Sequence, residues 1–118
     1  MREGSDITFV GWGMMMTMVS EIAEVLSQEG IHVEVIDLRT IVPMDEDLVY
    51  SSVRKTNRAL VLHEASLTMG FGAEIAARIA SNCFGDLDAP ILRLGAKDCF
   101  VPSAATLEDE MLPSVEEL

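Results

Sequence analysis

Hydrophobic and polar residues follow two patterns that alternate along this chain. Short apolar or alternating runs predict four strands, at residues 7–12, 32–38, 58–63 and 90–94. Between these runs, apolar residues recur every three or four positions, which predicts amphipathic helices at residues 14–28, 45–56 and 71–82. Since strand and helix alternate three times before the fourth strand, we expect the strands to be parallel.

The helical segments carry their own start and stop signals. Gly30 follows the first helix, and Asp45 is placed to cap the second. The side chains predicted to face the core are Met18, Ile22, Val25 and Leu26 in the first helix, Leu48, Val49 and Val53 in the second, and Ile75, Ala76 and Ile79 in the third. Helices on both faces of a parallel sheet predict an α/β fold, a three-layer α/β/α sandwich.

The length of the chain is that of one domain, spanning residues 1–118. Near the end, Ser114 with Glu117 three positions on forms a capping-box pattern, which predicts the start of a further helix. The sequence stops one residue later, so we expect this domain to be a fragment of a longer polypeptide.

Acidic residues dominate the charge. Eight basic and 20 acidic residues give a formal net charge of −12. Nucleic acids and anionic membranes are therefore poor partners, because binding them requires a positive surface. A basic protein partner suits this charge. The apolar runs fall far short of the roughly 20 residues needed to span a bilayer.

The two cysteines, Cys83 and Cys99, lack the spacing of metal ligands. The favoured interpretation is two buried, reduced thiols in a cytosolic protein.

A glycine pair, Gly70 and Gly72, opens the third helix. It forms only part of a dinucleotide-binding fingerprint, because Ile75 stands where the third glycine belongs, and no Walker-type lysine follows. We therefore predict a structural role, in which the glycines supply a positive φ and allow close packing of helix on sheet.

Three residues near predicted strand ends are candidates for an active-site edge. His63 and Glu64 end the third strand, where open α/β sheets place ligands, and His63 suits proton transfer. Neighbouring strand residues point to opposite faces, so the favoured interpretation is a histidine hydrogen-bonded to backbone. Arg39 after the second strand either binds an anionic substrate or, as we favour, pairs with Asp37 or Asp45.

At this point a family resemblance becomes visible. The run VIDLRTIVPMDEDLVYSSVRKTNRALVLHEA, residues 35–65, resembles the C-terminal domain of the β subunit of thiamine-diphosphate-dependent 2-oxo acid dehydrogenases. GFGAEIAARIA, LDAPILRL and LEDEMLPSVEEL continue the resemblance over nearly the whole chain. The related transketolase C-terminal domain is a less close match, because the turn RTIVP and the LDAP motif favour the dehydrogenase subunit.

The resemblance implies where the chemistry occurs. In this family, thiamine diphosphate and magnesium bind between other domains, which also supply the catalytic residues. We accordingly expect no catalytic, cofactor-binding or metal-binding residue in this chain, and no cofactor bound by this domain alone. The parent enzyme is expected to decarboxylate pyruvate or a branched-chain 2-oxo acid oxidatively and to transfer the acyl group to lipoamide.

The resemblance also implies partners. The family's domain helps to assemble an α2β2 tetramer with the α subunit and a second β subunit, and it docks on a basic subunit-binding domain of the lipoamide acyltransferase core. The acidic residue of the LDAP motif matches the family position that pairs with arginines of that domain, which makes Asp88 the expected partner-binding residue. The compartment implied is the cytoplasm in a prokaryote, or the mitochondrial matrix in a eukaryote.

Fold details follow from the resemblance as well. We expect four parallel strands in the order 2-1-3-4, with the family's antiparallel edge strand lying upstream of Met1. The loop at residues 98–104 departs from the family's usual sequence, so no contact is carried over to it.

Two alternatives remain open. The chain could be the C-terminal domain of transketolase or deoxyxylulose-phosphate synthase, with Arg39 and His63 reaching a phosphate-bearing sugar. It could also be a free-standing acidic α/β module that binds a ligand.

Overall fold

The computed structural model describes residues 2–114 and 116. Strands and helices alternate as the sequence pattern predicts, and a 3₁₀ turn and a fourth helix are added. The elements in order are β1 (Ile7–Gly11), α1 (Met15–Gln28), β2 (Val33–Asp37), α2 (Glu46–Thr56), β3 (Ala59–Ser66), α3 (Phe71–Cys83), a 3₁₀ turn (Phe84–Asp86), β4 (Leu92–Ala96) and α4 (Ala105–Met111).

The four strands form one parallel sheet in the order β2-β1-β3-β4, which confirms the predicted order. Phe9 on the central strand β1 lies opposite Val35 on β2 and Leu60 on β3. At the outer edge of β2, Arg2 forms an antiparallel bridge with Val35 through backbone N···O distances of 3.3 and 2.9 Å. The backbone at Arg2 is thus paired antiparallel to β2.

Apolar side chains fill both faces of the sheet, as a three-layer sandwich requires. On one face, Phe9, Leu60 and Leu62 pack with α1 residues such as Val19 and Ala23. The other face buries a second cluster against α2 and α3, which includes Val10, Ile36, Val61, Val49, Val53, Ile75 and Ile79. Successive strand residues join opposite clusters because side chains alternate across a sheet. The predicted layer architecture is therefore confirmed.

The helix caps and most of the inward-facing positions agree with the prediction. The Asp45 carboxylate accepts a 3.1 Å hydrogen bond from the backbone N–H of Leu48, so it caps α2 as expected. Val25 and Leu48 were predicted to face the core but are 56% and 46% exposed. For Val25 the reason is that α1 buries the stripe Met15, Met16, Val19, Ile22 and Ala23, which lies to one side of it.

Several element boundaries differ from the prediction. β3 continues three residues beyond His63, and β4 lies at Leu92–Ala96 instead of residues 90–94. The cause is tertiary, because Ser66 pairs with Ala96 after an irregularity in the β3–β4 ladder. α4 was not predicted. The capping box at residues 114–117 falls only partly within the described chain, since Val115, Glu117 and Leu118 lie outside it.

Candidate docking surface at the Asp88 turn

Asp88 lies in the connection between the 3₁₀ turn and β4, and its side chain is exposed. It borders a groove of about 600 Å³, whose lining residues are Ala80, Phe84, Leu87, Asp88, Ala89, Pro90 and Ile91. Within the part of the chain that the structure describes, no cation lies within ion-pair distance of the Asp88 carboxylate. This carboxylate is therefore available to an external cation.

Hydrogen bonds from the end of α2 hold the Asp88 turn in place. The backbone N–H of Asp88 donates to the carbonyl oxygen of Asn57 at 2.9 Å, and the side-chain amide of Asn57 donates to the carbonyl oxygen of Asp86 at 2.6 Å. Asn57 adopts the left-handed conformation, with φ 61°, that ends α2. The turn thus presents Asp88 from a fixed backbone.

Arg54 adds a second connection between α2 and this surface. Its guanidinium donates to the carbonyl oxygen of Asn82 at 3.1 Å and lies 3.6 Å from the Asp86 carboxylate. Asp86 is therefore partly neutralised, whereas Asp88 is not.

Phe84 is the large apolar side chain of the same groove. It begins the 3₁₀ turn and is 81% exposed, although the adjacent Cys83 is fully buried. The sequence contains a signal for this exposure. Ile75, Ile79 and Cys83 repeat every four positions and form the buried stripe of α3, and Phe84 falls outside that stripe. Neither Phe84 nor Asn57 was identified from the sequence.

Arg39 lies exposed beyond the end of β2. Its guanidinium nitrogen is 2.9 Å from the carboxylate of Asp37, which confirms one of the two pairings favoured from the sequence. The side chain of Asp37 is only 10% exposed, so this pair compensates a nearly buried carboxylate.

His63 is fully buried on β3, beneath the start of α3. Its ring lies 5.1 Å from the ring of Trp12, measured between centroids. Among the described residues, neither ring nitrogen makes a hydrogen bond of good geometry, although the backbone of Ala65 lies close enough to favour the protonated ring. The predicted bond to backbone is therefore at most a weak contact. The nearby Ala65 backbone only offsets part of the effect of burial, which lowers the pKa of His63. A fully buried imidazole is not placed to exchange protons with a substrate.

Glu64 does not join His63 in a dyad. Leu62, two positions before Glu64 and therefore on the same face of the sheet, belongs to the cluster beneath α1. The Glu64 carboxylate likewise approaches Gly13, just before α1. His63 instead contacts the glycines of α3 on the other face. The expectation that these adjacent residues point to opposite faces is confirmed.

The glycine pair at the start of α3 is structural, but only one of its two predicted roles is correct. Neither Gly70 nor Gly72 has a positive φ, and the left-handed residue of this turn is Met69, with φ 59°. The glycines are needed for space, since a Cβ at Gly72 would lie 2.4 Å from the His63 ring and one at Gly70 would lie 2.2 Å from the carbonyl oxygen of Ser66. Close packing of helix on sheet is therefore confirmed.

Cys83 is buried, but Cys99 is exposed because it lies in the loop after β4, which corrects the prediction of two buried thiols. Across residues 2–114 and 116, no three His, Cys, Asp or Glu side chains are grouped so that they could hold a metal ion. In the same residues, no helix combines the length and apolar character needed to cross a membrane.

Known proteins share both the sequence and the fold. The family model described as "Transketolase, C-terminal domain" matches residues 1–118. The mitochondrial 2-oxoisovalerate dehydrogenase subunit beta 2 of Arabidopsis thaliana is 51% identical over 102 residues, covering 86% of this chain and 28% of that protein. The pyruvate dehydrogenase E1 component subunit beta of Rhizobium meliloti is 45% identical over 117 residues, covering 99% of this chain and 25% of that protein.

A solved structure gives the same result for the fold. A split-gene transketolase, described as an inactive beta4 tetramer, matches with a TM-score of 0.79 and 26% identity, covering 98% of this chain and 37% of that chain. This chain therefore corresponds to roughly a quarter to a third of the length of larger proteins.

Proposed function

Because this chain belongs to the transketolase C-terminal domain family, we propose that it serves as the assembly and partner-docking domain of a 2-oxo acid dehydrogenase β subunit. The parent enzyme would decarboxylate a 2-oxo acid oxidatively and pass the acyl group to lipoamide, as an α2β2 tetramer. The 51% identity to a 2-oxoisovalerate dehydrogenase subunit supports a branched-chain 2-oxo acid as substrate.

Among the residues that the structure describes, no three His, Cys, Asp or Glu side chains are grouped so that they could hold a magnesium ion, and the imidazole of His63 is fully buried. These observations support a domain that takes no step in the chemistry. In the proposed enzyme, the cofactor and the catalytic residues belong to other domains.

One observation carries the docking proposal: the unpaired, exposed carboxylate of Asp88 on a turn that hydrogen bonds to Asn57 hold in place. A cation that binds there meets a carboxylate whose backbone is already ordered, so little conformational entropy is lost. The net charge of −12 favours the approach of a basic partner. The basic subunit-binding domain of the lipoamide acyltransferase is the partner of that chemistry.

A pair of charge reversals tests this function in the assembled α and β subunits. Asp88→Lys and Asp109→Lys change the net charge equally, and Asp109 is exposed on α4. We expect Asp88→Lys to weaken binding of the acyltransferase's subunit-binding domain by about tenfold or more, the effect of losing a charge-assisted hydrogen bond. Asp109→Lys should change it only slightly, through long-range attraction. Equal effects of the two variants, or no binding by the unmodified protein, would contradict the proposal.

The transketolase alternative has less support from the geometry. It requires Arg39 and His63 to reach a phosphate-bearing sugar. His63 has no exposed surface, and Arg39 is paired with Asp37.

A further inference from the structure

We propose that Phe84 and Asp88 act together as a two-part docking surface, in which the Phe84 ring contacts an apolar side chain that neighbours the cation bound by Asp88. This inference rests on the proposed docking function and specifies the chemistry of the partner. The partner segment must carry an arginine or lysine with an apolar residue beside it.

Phe84 is an exposed aromatic side chain beside Asp88. Most of its ring faces solvent, at 81% exposure, and it lines the same groove as Asp88. An aromatic side chain left in water forgoes the free energy of burial, and a partner that covers it recovers that energy. Aromatic side chains at the centre of protein interfaces are frequent sources of binding energy.

The backbone around Phe84 is held on both sides. Cys83 before it is fully buried, and Leu87 after it packs against the core beneath α3. The backbone N–H of Leu87 donates to the carbonyl oxygen of Phe84 at 3.4 Å, which closes the 3₁₀ turn. The Asn57 bonds then hold Asp86 and Asp88. The backbone positions that carry the ring and the carboxylate are therefore fixed before a partner arrives.

The negative charge beside Phe84 favours a basic partner. Phe84 is followed by Asp86 and Asp88, and the only cation paired with either of them among the described residues is Arg54, 3.6 Å from Asp86. A second copy of this chain, which is itself strongly acidic, would meet like charge here. A basic segment with an apolar residue satisfies both halves of the surface.

The experiment compares two exposed phenylalanines in the assembled α and β subunits. Phe84→Ala is matched by Phe100→Ala, because Phe100 is 99% exposed in the loop after β4. Affinity for the basic subunit-binding domain of the acyltransferase is measured at low and at high salt for both variants and for Asp88→Lys. Thermal unfolding should be nearly unchanged in both phenylalanine variants, since each ring is exposed.

We expect Phe84→Ala to weaken binding about tenfold and Phe100→Ala to leave it unchanged. The Phe84 effect should persist at high salt, whereas the Asp88 effect should shrink because salt screens exposed charges. Equal affinities for the two phenylalanine variants, with Asp88→Lys still weak, would overturn this inference and leave the docking function standing. An effect of Phe84→Ala on self-association but not on docking would also overturn it. Absence of binding by the unmodified protein would refute both proposals.

Discussion

The side-chain amide of Asn57 donates a 2.6 Å hydrogen bond to the backbone carbonyl oxygen of Asp86, which lies 29 positions further along the chain. Through this bond, the residue that ends α2 also positions the turn that precedes β4. The carbonyl oxygen of Asn57 accepts from the N–H of Asp88 at 2.9 Å, so the two segments are joined in both directions. Packing of α2 on the sheet and presentation of Asp88 are thereby coupled.

Substitutions at Asn57 separate the hydrogen bond from the backbone conformation. Asn57→Ala removes the amide and places an alanine at φ 61°, a left-handed conformation that alanine disfavours. We therefore expect a loss of about 1–3 kcal/mol in the free energy of unfolding. Asn57→Gly removes the same bond but tolerates the left-handed conformation, and should lose less. Chemical denaturation of both variants measures the difference.

Docking provides the second measurement on these variants. Both should bind the basic subunit-binding domain more weakly, because the Asp88 turn loses the side-chain bond from Asn57 to Asp86 and keeps only the backbone bond between Asp88 and residue 57. Asn82→Ala is the control, since among the described residues its side-chain amide bonds only to the carbonyl oxygen of Arg78, within α3. A docking affinity that is unchanged in Asn57→Gly would show that the bond to Asp86 does not position Asp88.

The buried imidazole of His63 predicts a dependence of stability on pH. Burial lowers the pKa of His63 in the folded state, so below the ordinary value of about 6.5 the unfolded chain binds more protons than the folded one. The contribution of His63 to stability is therefore fully present above about pH 6.5 and is lost as pH falls towards the lowered pKa. Urea unfolding between about pH 5 and pH 7.5 should show this loss.

Two histidine variants test the assignment of that pH dependence. His63→Leu should flatten the curve over this range, whereas His32→Gln should preserve it, because His32 is exposed. A curve of the same slope in His63→Leu and the unmodified chain would assign the pH dependence to other groups.

Gly72 leaves space for His63, and this contact predicts a packing defect. In Gly72→Ala the new methyl group would lie 2.4 Å from the imidazole unless α3 moves away from β3. We expect a loss of about 1–3 kcal/mol in the free energy of unfolding, typical of overpacking. Gly85→Ala is the control, because a Cβ there meets nothing within 4 Å.

A double-mutant cycle identifies His63 as the obstacle. In the His63→Ala background, the cost of Gly72→Ala should fall, since the imidazole that blocks the new methyl group is gone. Additive effects of the two substitutions would place the strain elsewhere.

Local sequence patterns were sufficient for the existence of the four strands, their parallel direction and the close packing at the glycines, whereas the strand order followed from the family resemblance. Alternating and apolar runs identify strands that are buried on both faces, and Asp45 caps α2 through a contact three residues away. Contacts between segments that are distant in the sequence could not be predicted from local patterns. The β3 strand reaches Ser66 because of Ala96, and Asn57 matters because of Asp86.

The residues of the candidate site also depended on information beyond the local sequence. Asp88 could be selected only through the resemblance to a family, because an exposed aspartate carries no local signal of binding. His63 was expected to hydrogen-bond to backbone, but its ring packs against Trp12 and against glycines contributed by separate segments. Burial and solvation of a side chain depend on all the elements around it, and the residue's own strand does not reveal them.

The nearly buried carboxylate of Glu34 predicts a second, more acidic transition. Burial raises its pKa, but hydrogen bonds from Lys55, from Ser52 and from the backbone N–H of Gly4 outweigh this effect, and the pKa is lowered overall. Its contribution to stability is therefore present above about pH 4.5 and is lost as pH falls below that value. Because Lys55 is half exposed, we expect Glu34→Gln to cost only about 0.5–1.5 kcal/mol at neutral pH. The difference from the unmodified chain should shrink in urea titrations as pH falls below about 4.5 and Glu34 becomes protonated. Glu24→Gln removes a more exposed partner of Arg2 and should change stability by less than about 0.5 kcal/mol. A Glu34→Gln deficit that does not change with pH would mean that the charge of Glu34 contributes nothing and that the loss comes from packing.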